Sequence, residues 1–228
     1  MTATLFTTST LPSEEAVPPW GGSQAQRTSP ALAPALSFPP ALLLRAQGVK
    51  VAFFDVDGVL TDGGLYFSEY PDGHERAVTL DGFRSAGEII KRFNTLDGHG
   101  LKLLQKAGIT PVVITGRDSA VLRARLQALG ITRAHFGTED KRPAAELTLQ
   151  ALGLDWSAAA AMGDDWPDLP VMNRAALSCA PANAHLEVRA RAHHVTQAPG
   201  GHGAAREFCD LLLVASGRYA SLLDEYAQ

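Results

Sequence analysis

The stretch at residues 51–63 reads VAFFDVDGVLTDG. Four apolar residues, enough for a strand buried on both faces, run straight into Asp55 and Asp57 with one valine between them. Side chains at i and i+2 of an extended segment share a face, so the two carboxylates project together where the strand ends. Carboxylates about 4 Å apart repel by roughly 4 kcal/mol at an effective dielectric near 20. A divalent cation removes that repulsion, and hard oxygen ligands suit Mg²⁺, which also accepts phosphate oxygens of a substrate. The competing reading is an Asx-rich turn that caps the next helix. Gly58 and the Thr61-Asp62-Gly63 turn leave room for a ligand to approach the backbone.

Outward from this stretch, short apolar runs alternate with amphipathic helical ones. VKVAFF and PVVIT read as buried parallel strands, and AAAAM, ALSCA and AHHV supply later ones. GLKLLQKAG and SAVLRARLQALG place Leu at helical spacing and close on Gly108 and Gly130. Further helices are expected around 143–152, 168–175 and 183–191. The alternation predicts an α/β fold with a doubly wound, mostly parallel sheet. Residues 64–94 break the rhythm, with turn signals at Pro71-Asp72-Gly73 and Asp81-Gly82 between β-prone runs. A hairpin flap over the carboxyl end of the first strand and a solvated loop are both open for this segment.

The 228 residues, 46% hydrophobic and 19% charged, suit one globular domain over 46–228. Residues 1–45, rich in Pro, Ser, Thr and Ala without a period, read as a disordered extension, and 216–228 as a C-terminal tail. A net charge of −4 with no basic cluster offers no large attraction for nucleic acid. No apolar run approaches the ~20 residues needed to cross a bilayer. No basic segment leads an apolar core as in a secretory signal, and Cys179 and Cys209 read as ordinary thiols, so a cytoplasmic location is expected.

Three further stations carry chemistry. In VVITGRDS, Thr115 ends a strand and Gly116 frees an amide, a pair suited to a phosphoryl oxygen and equally to a plain turn. In GTEDKRPAAE, Lys141 stands just before a helix expected to start at Pro143. In AAAAMGDDWPDLPVM, a second apolar strand ends in Asp164, Asp165 and Asp168. Two acidic strand ends in one sheet favour a metal site more than either alone.

Asp-x-Asp, then Thr, then Lys, then Gly-Asp-Asp resembles the haloacid dehalogenase superfamily of phosphohydrolases. The resemblance implies Asp55 as nucleophile, Asp57 as general acid and base, and Thr115 and Lys141 as phosphoryl-binding groups. It implies Mg²⁺ held by Asp55, the Asp57 carbonyl and Asp164, with Asp165 or Asp168 outside them. With only the hairpin segment between motifs, the chain resembles the capless branch and its sugar-acid phosphatases, through DVDGVLTDGGLYF, KRFNTLDGHGLKLL and VTQAPGGHGAAREFCDLLL. The stretch YPDGHERAVTLDGFRSAG departs from that pattern and lengthens the hairpin.

The branch implies a phosphorylated sugar acid as substrate, held near Asn94, Thr95, Leu96, Asp97 and Gly98. Lys102, Gly116, Arg117 and Arg125 join Asp57 and Lys141 around it, since a substrate with carboxylate and phosphate calls for cations. It also implies a homotetramer in which His202 and Arg206 reach a neighbouring subunit's site. A signalling receiver domain shares some of these residues, but its accepting Asp ends a later strand than its acidic pair.

Overall fold

In the computed structural model, which describes residues 36–67 and 88–228, the opening run is strand β1 (Val51–Phe54), buried at all four positions. Its side chains alternate between two cores: Ala52 and Phe54 face one, Val51 and Phe53 the other. That two-sided burial explains an apolar run with no polar alternation.

Both neighbours of β1 are parallel to it. On one side lies β4 (Thr110–Ile114), with Phe54 opposite Val113. On the other lies β6 (Ala159–Met162), with Phe54 opposite Met162. The sheet continues through β5 (Ala134–His135), β7 (Leu177–Ala180) and β8 (His194–Val195) in the order β5-β4-β1-β6-β7-β8. All five pairings are parallel. From β1 the chain builds outward to β4 and β5, then crosses to β6 on the other side. Beside β1 the strand order reverses, where open α/β sheets bind ligands beyond their carboxyl ends.

Helices cover both faces. Packed on one are α1 (Pro40–Ala46), α2 (Thr95–Lys106), α3 (Ala120–Leu129), α7 (Ala204–Ala215) and α8 (Tyr219–Ala227). Here Phe54 meets Phe208 edge-on, ring centroids 5.7 Å apart. The other face carries α4 (Lys141–Leu152), α5 (Leu169–Met172) and α6 (Leu186–Arg191). Caps set the helix starts: Asn94, Ser119 and Asp140 each accept a backbone N–H from the first turn. α3 stops at Gly130, left-handed at φ 71°.

Four points differ from the sequence reading. α4 begins at Lys141, not Pro143, because Asp140 is the cap; Pro143 fits the first turn, where its missing N–H costs nothing. Ordered structure starts before residue 46, so the extension assigned to 1–45 is too long: Pro40 opens α1, and Phe38, Leu42 and Leu43 pack against the core. The expectation for residues 1–35 lies outside the described residues. β5, only two residues long, has no apolar run to announce it. The tail forms α8, with Leu222 buried and His99 edge-on to Tyr226 at 5.3 Å.

Between β1 and α2 the chain forms an antiparallel pair, β2 (Tyr66–Phe67) and β3 (Glu88–Ile90). The turn residues expected between them, 68–87, lie outside the described residues.

Candidate active site

The strand register delivers the site. Phe54 lies opposite Val113 and Met162, so Asp55, Thr115 and Asp164 all emerge at the carboxyl ends of adjacent strands. Asp55 N–H still donates to the Met162 carbonyl at 3.1 Å, which ties the first acid to the end of β6.

Asp55, Asp164 and Asp168 each offer an oxygen within 4.8 Å of the others. Lys141 enters from the first turn of α4, its Nζ 2.5 Å from Asp55 Oδ1 and 2.6 Å from Asp168 Oδ1. Burial alone would push Lys141 down, but Asp168 and Asp55 outweigh it and hold the ammonium above its ordinary range. One ammonium does not balance three carboxylates. Burial, with Asp168 adding and Lys141 opposing, raises Asp55 to about 6. Burial, with Asp55 and Asp168 adding, raises Asp164 to about 8. Carboxylates held so far from their usual range mark a place short of positive charge.

This donor set fits a divalent cation. It is all oxygen, as Mg²⁺ prefers. Asp164 lies so close to the backbone after Asp57 that a Cβ on Gly58 would be 2.1 Å from its Oδ2. Glycine at that point (φ 94°) is therefore a requirement of the site.

The remaining acids have separate tasks. Asp168 uses both oxygens within the protein: Oδ1 takes Lys141, and Oδ2 accepts the N–H groups of Asp164 and Asp165 at 2.9 and 3.2 Å. It orders the loop that carries Asp164. Asp165 is exposed and caps a 3₁₀ turn, Trp166–Asp168, accepting the Trp166 N–H at 2.8 Å. It stands apart from the acidic trio.

Asp57 is half-buried between two cations, Lys91 just after β3 and Arg117, whose Nε is 3.6 Å from Asp57 Oδ2. Buried Thr115 accepts the Arg117 N–H at 3.2 Å, and Gly116 between them is exposed. Lys91 is a site residue that the sequence reading passed over. Its signal was there: a lysine inside the β-prone run EIIKRFN.

The expected substrate residues divide. Asn94 caps α2 through its bond from Leu96 N–H (2.8 Å), and Thr95 and Leu96 are exposed on the first turn. Arg125 reaches them from α3, its Nη2 3.4 Å from the Asn94 carbonyl, and its guanidinium fills the space beside Gly98. Lys102 is exposed further along α2. Asp97, expected at the substrate, faces α7. It is buried, and its two oxygens accept the N–H groups of Gly203 (3.2 Å) and Arg206 (2.8 Å) at the start of α7. It joins α2 to the start of α7. Arg206 and His202, expected to serve a neighbouring subunit, are engaged in their own chain. Arg206 Nε pairs with Asp210 at 2.8 Å, and His202 Nε2 lies 3.0 Å from Arg92, which also faces Asp62.

Residues 137–208 match the family model of haloacid dehalogenase-like hydrolases. The chain is also 37% identical over 177 residues to the 3-deoxy-D-manno-octulosonate 8-phosphate phosphatase of Yersinia pestis, covering 78% of this chain and 86% of that one. The chain belongs to this phosphatase family of the haloacid dehalogenase superfamily. A crystal structure of the Yersinia pestis phosphatase superposes on it with a TM-score of 0.70 at 36% identity, over 79% of this chain and 89% of that one. The phosphatase of Moraxella catarrhalis, solved with a magnesium ion, a phosphate ion and KDO, superposes with a TM-score of 0.72 at 32% identity. That match covers 82% of this chain and 98% of the other. The family consists of phosphomonoesterases, and this chain shares the α/β fold of its solved members. No helix among the described residues is long and apolar enough to cross a membrane.

Proposed function

We propose that the chain hydrolyses 3-deoxy-D-manno-octulosonate 8-phosphate to the free sugar acid and inorganic phosphate, with Mg²⁺ as cofactor. The observation that carries the reading is Asp55, buried at the end of β1 and bonded to Lys141 within the acidic trio. The family to which the chain belongs supports the choice of substrate.

In this mechanism a carboxylate oxygen of Asp55 attacks phosphorus, and the bond from phosphorus to the sugar oxygen breaks. Asp57 gives a proton to that leaving oxygen. Water then attacks phosphorus of the aspartyl-phosphate, Asp57 takes its proton, and phosphate leaves Asp55 as a carboxylate. Lys141, Thr115 and the Gly116 amide bind the phosphoryl oxygens, and stabilising their charge is the chief catalytic lever in phosphoryl transfer. Asp55, the Asp57 carbonyl and Asp164 would hold Mg²⁺, whose charge would further neutralise the approaching dianion. Arg117, Arg125, Lys102 and the α2 start at Asn94–Gly98, apart from Asp97, face the sugar acid.

We further propose a cytoplasmic homotetramer acting in lipopolysaccharide precursor synthesis. Exposed Tyr66 and Ile90 on the β2–β3 ribbon, with Leu65 just before it and exposed Leu96 on α2, support burial against another copy. Light scattering combined with kinetics tests this, and a fully active monomer overturns it.

Phosphate release from a panel of sugar phosphates tests the activity. The eight-carbon acid should exceed nine-carbon sialic acid 9-phosphates by at least about tenfold in kcat/KM, roughly 1.4 kcal/mol. Preference for the nine-carbon acid would replace the substrate, and no phosphate release with Mg²⁺ present would end the reading.

A further inference from the structure

We propose that Asn183 is a positioning residue which, with Gly200 and Gly201, clamps the loop after Asp57 against the Asp164 loop. The inference rests on the phosphohydrolase reading above and adds to it residues that touch neither substrate nor metal.

Gly58 is pressed from two sides. On one is the Asp164 carboxylate. On the other is the corner at Gly200–Gly201, where a Cβ on Gly200 would lie 1.8 Å from the Gly58 carbonyl oxygen. A Cβ on Gly201 would lie 2.4 Å from the Asp62 nitrogen. Gly201 N–H donates to the Val59 carbonyl at 3.0 Å. Two backbones therefore touch here with no side chain between them, and what fixes the corner fixes the loop.

Asn183, on the turn after β7, fixes the corner. Its Oδ1 accepts the Gly200 N–H at 2.7 Å, and its Nδ2 lies 3.5 Å from the Gly58 carbonyl. Two residues on, His185 N–H donates to the Asp164 carbonyl at 2.9 Å. One short turn thus braces both loops that would hold the cation. Mg²⁺ demands near-ideal octahedral geometry at about 2.0–2.1 Å, so a small drift between these loops is felt as lost affinity. Removing a partner of the ligands typically costs 10–100-fold in metal affinity or activity.

The test compares Asn183→Ala, Asn183→Ser and Asn183→Asp in the full chain, by calorimetric titration with Mg²⁺ alone and by kinetics on p-nitrophenyl phosphate. Asn183 is exposed, so its removal opens no core cavity, and melting temperatures should stay within about 3 °C. Ala and Ser, which cannot reach Gly200, should weaken Mg²⁺ binding about tenfold and lower kcat with little change in KM. Asp keeps the acceptor for the Gly200 N–H and should return Mg²⁺ affinity to within about threefold of wild type. Wild-type Mg²⁺ affinity in the Ala and Ser variants overturns the clamp, as does failure of Asp to rescue. If the wild type binds Mg²⁺ but releases no phosphate, the phosphatase reading falls, and the calorimetric comparison still decides the clamp.

Discussion

Asp55 sits buried beside two other carboxylates and one ammonium, an arrangement that folding alone would not favour. Replacing it by Asn keeps the volume and removes the nucleophile of the proposed mechanism. Asp55→Asn should lower kcat by on the order of 10³ or more while far-UV circular dichroism stays unchanged. Normal turnover in that variant would exclude Asp55 as the attacking group. The neighbouring acids separate equally well. Asp164→Ala should weaken Mg²⁺ at least about tenfold, because it removes one of the trio. Asp165→Ala should leave Mg²⁺ affinity nearly unchanged and cost about 1 kcal/mol of stability through the lost cap.

The acidic trio also sets a pH dependence. Free Asp ionises near 3.8, whereas folding holds a proton on Asp55 to about 6 and on Asp164 to about 8. The folded state binds more protons than the unfolded one through that window, so stability falls as pH rises through it. Metal-free protein should therefore melt at a progressively lower temperature from about pH 5 to about pH 8.5, and Mg²⁺ should raise the melting temperature most at the upper end. Scanning calorimetry checks both trends, and a Mg²⁺ increment independent of pH would contradict the account.

At the scale of elements, the join between α2 and α7 depends on a charge. Gly203, which precedes α7, brings no capping side chain, and Asp97 of α2 meets the first-turn N–H groups instead. Burial pushes Asp97 above its ordinary range, against those two N–H groups, which favour its ionised form. Asp97→Ala should destabilise by about 2–3 kcal/mol, since it orphans two part-buried donors. KM should hardly move, which separates a joining role from substrate binding. Phe54 is the apolar counterpart: it is 1% exposed and stacks edge-on with Phe208 of α7. Phe54→Ala should cost about 3–5 kcal/mol in urea unfolding, through lost transfer energy and the cavity left behind.

For the whole molecule, α1 belongs to the domain. Phe38, Leu42 and Leu43 pack on the α2–α7 face, and Ala46 is buried. A chain beginning at residue 36 should melt as the full chain does, whereas one beginning at residue 47 should melt several degrees lower, at roughly 2–4 °C per kcal/mol lost. Equal melting of the two truncations would show that α1 contributes nothing.

What the sequence determined by itself is whatever depends on short range. A four-residue apolar run ending in acids reads as a doubly buried strand with carboxylates at its tip, and two such runs with a threonine strand end and a lysine turn define the reactive centre. Period and spacing are local, so they survive in one dimension. The tertiary structure decided the partners. Asp97 stands at a helix start in a DG dipeptide and reads as a ligand residue, yet its bonds go to residues 106 and 109 positions away. Asn183 and Gly58, 125 positions apart, have no shared pattern. Pro and Ala made α1 look structureless, because only the α7 surface rewards its Leu residues. A hydrogen bond or a contact between distant segments depends on where the fold brings two backbones together, and no periodicity in either segment records that.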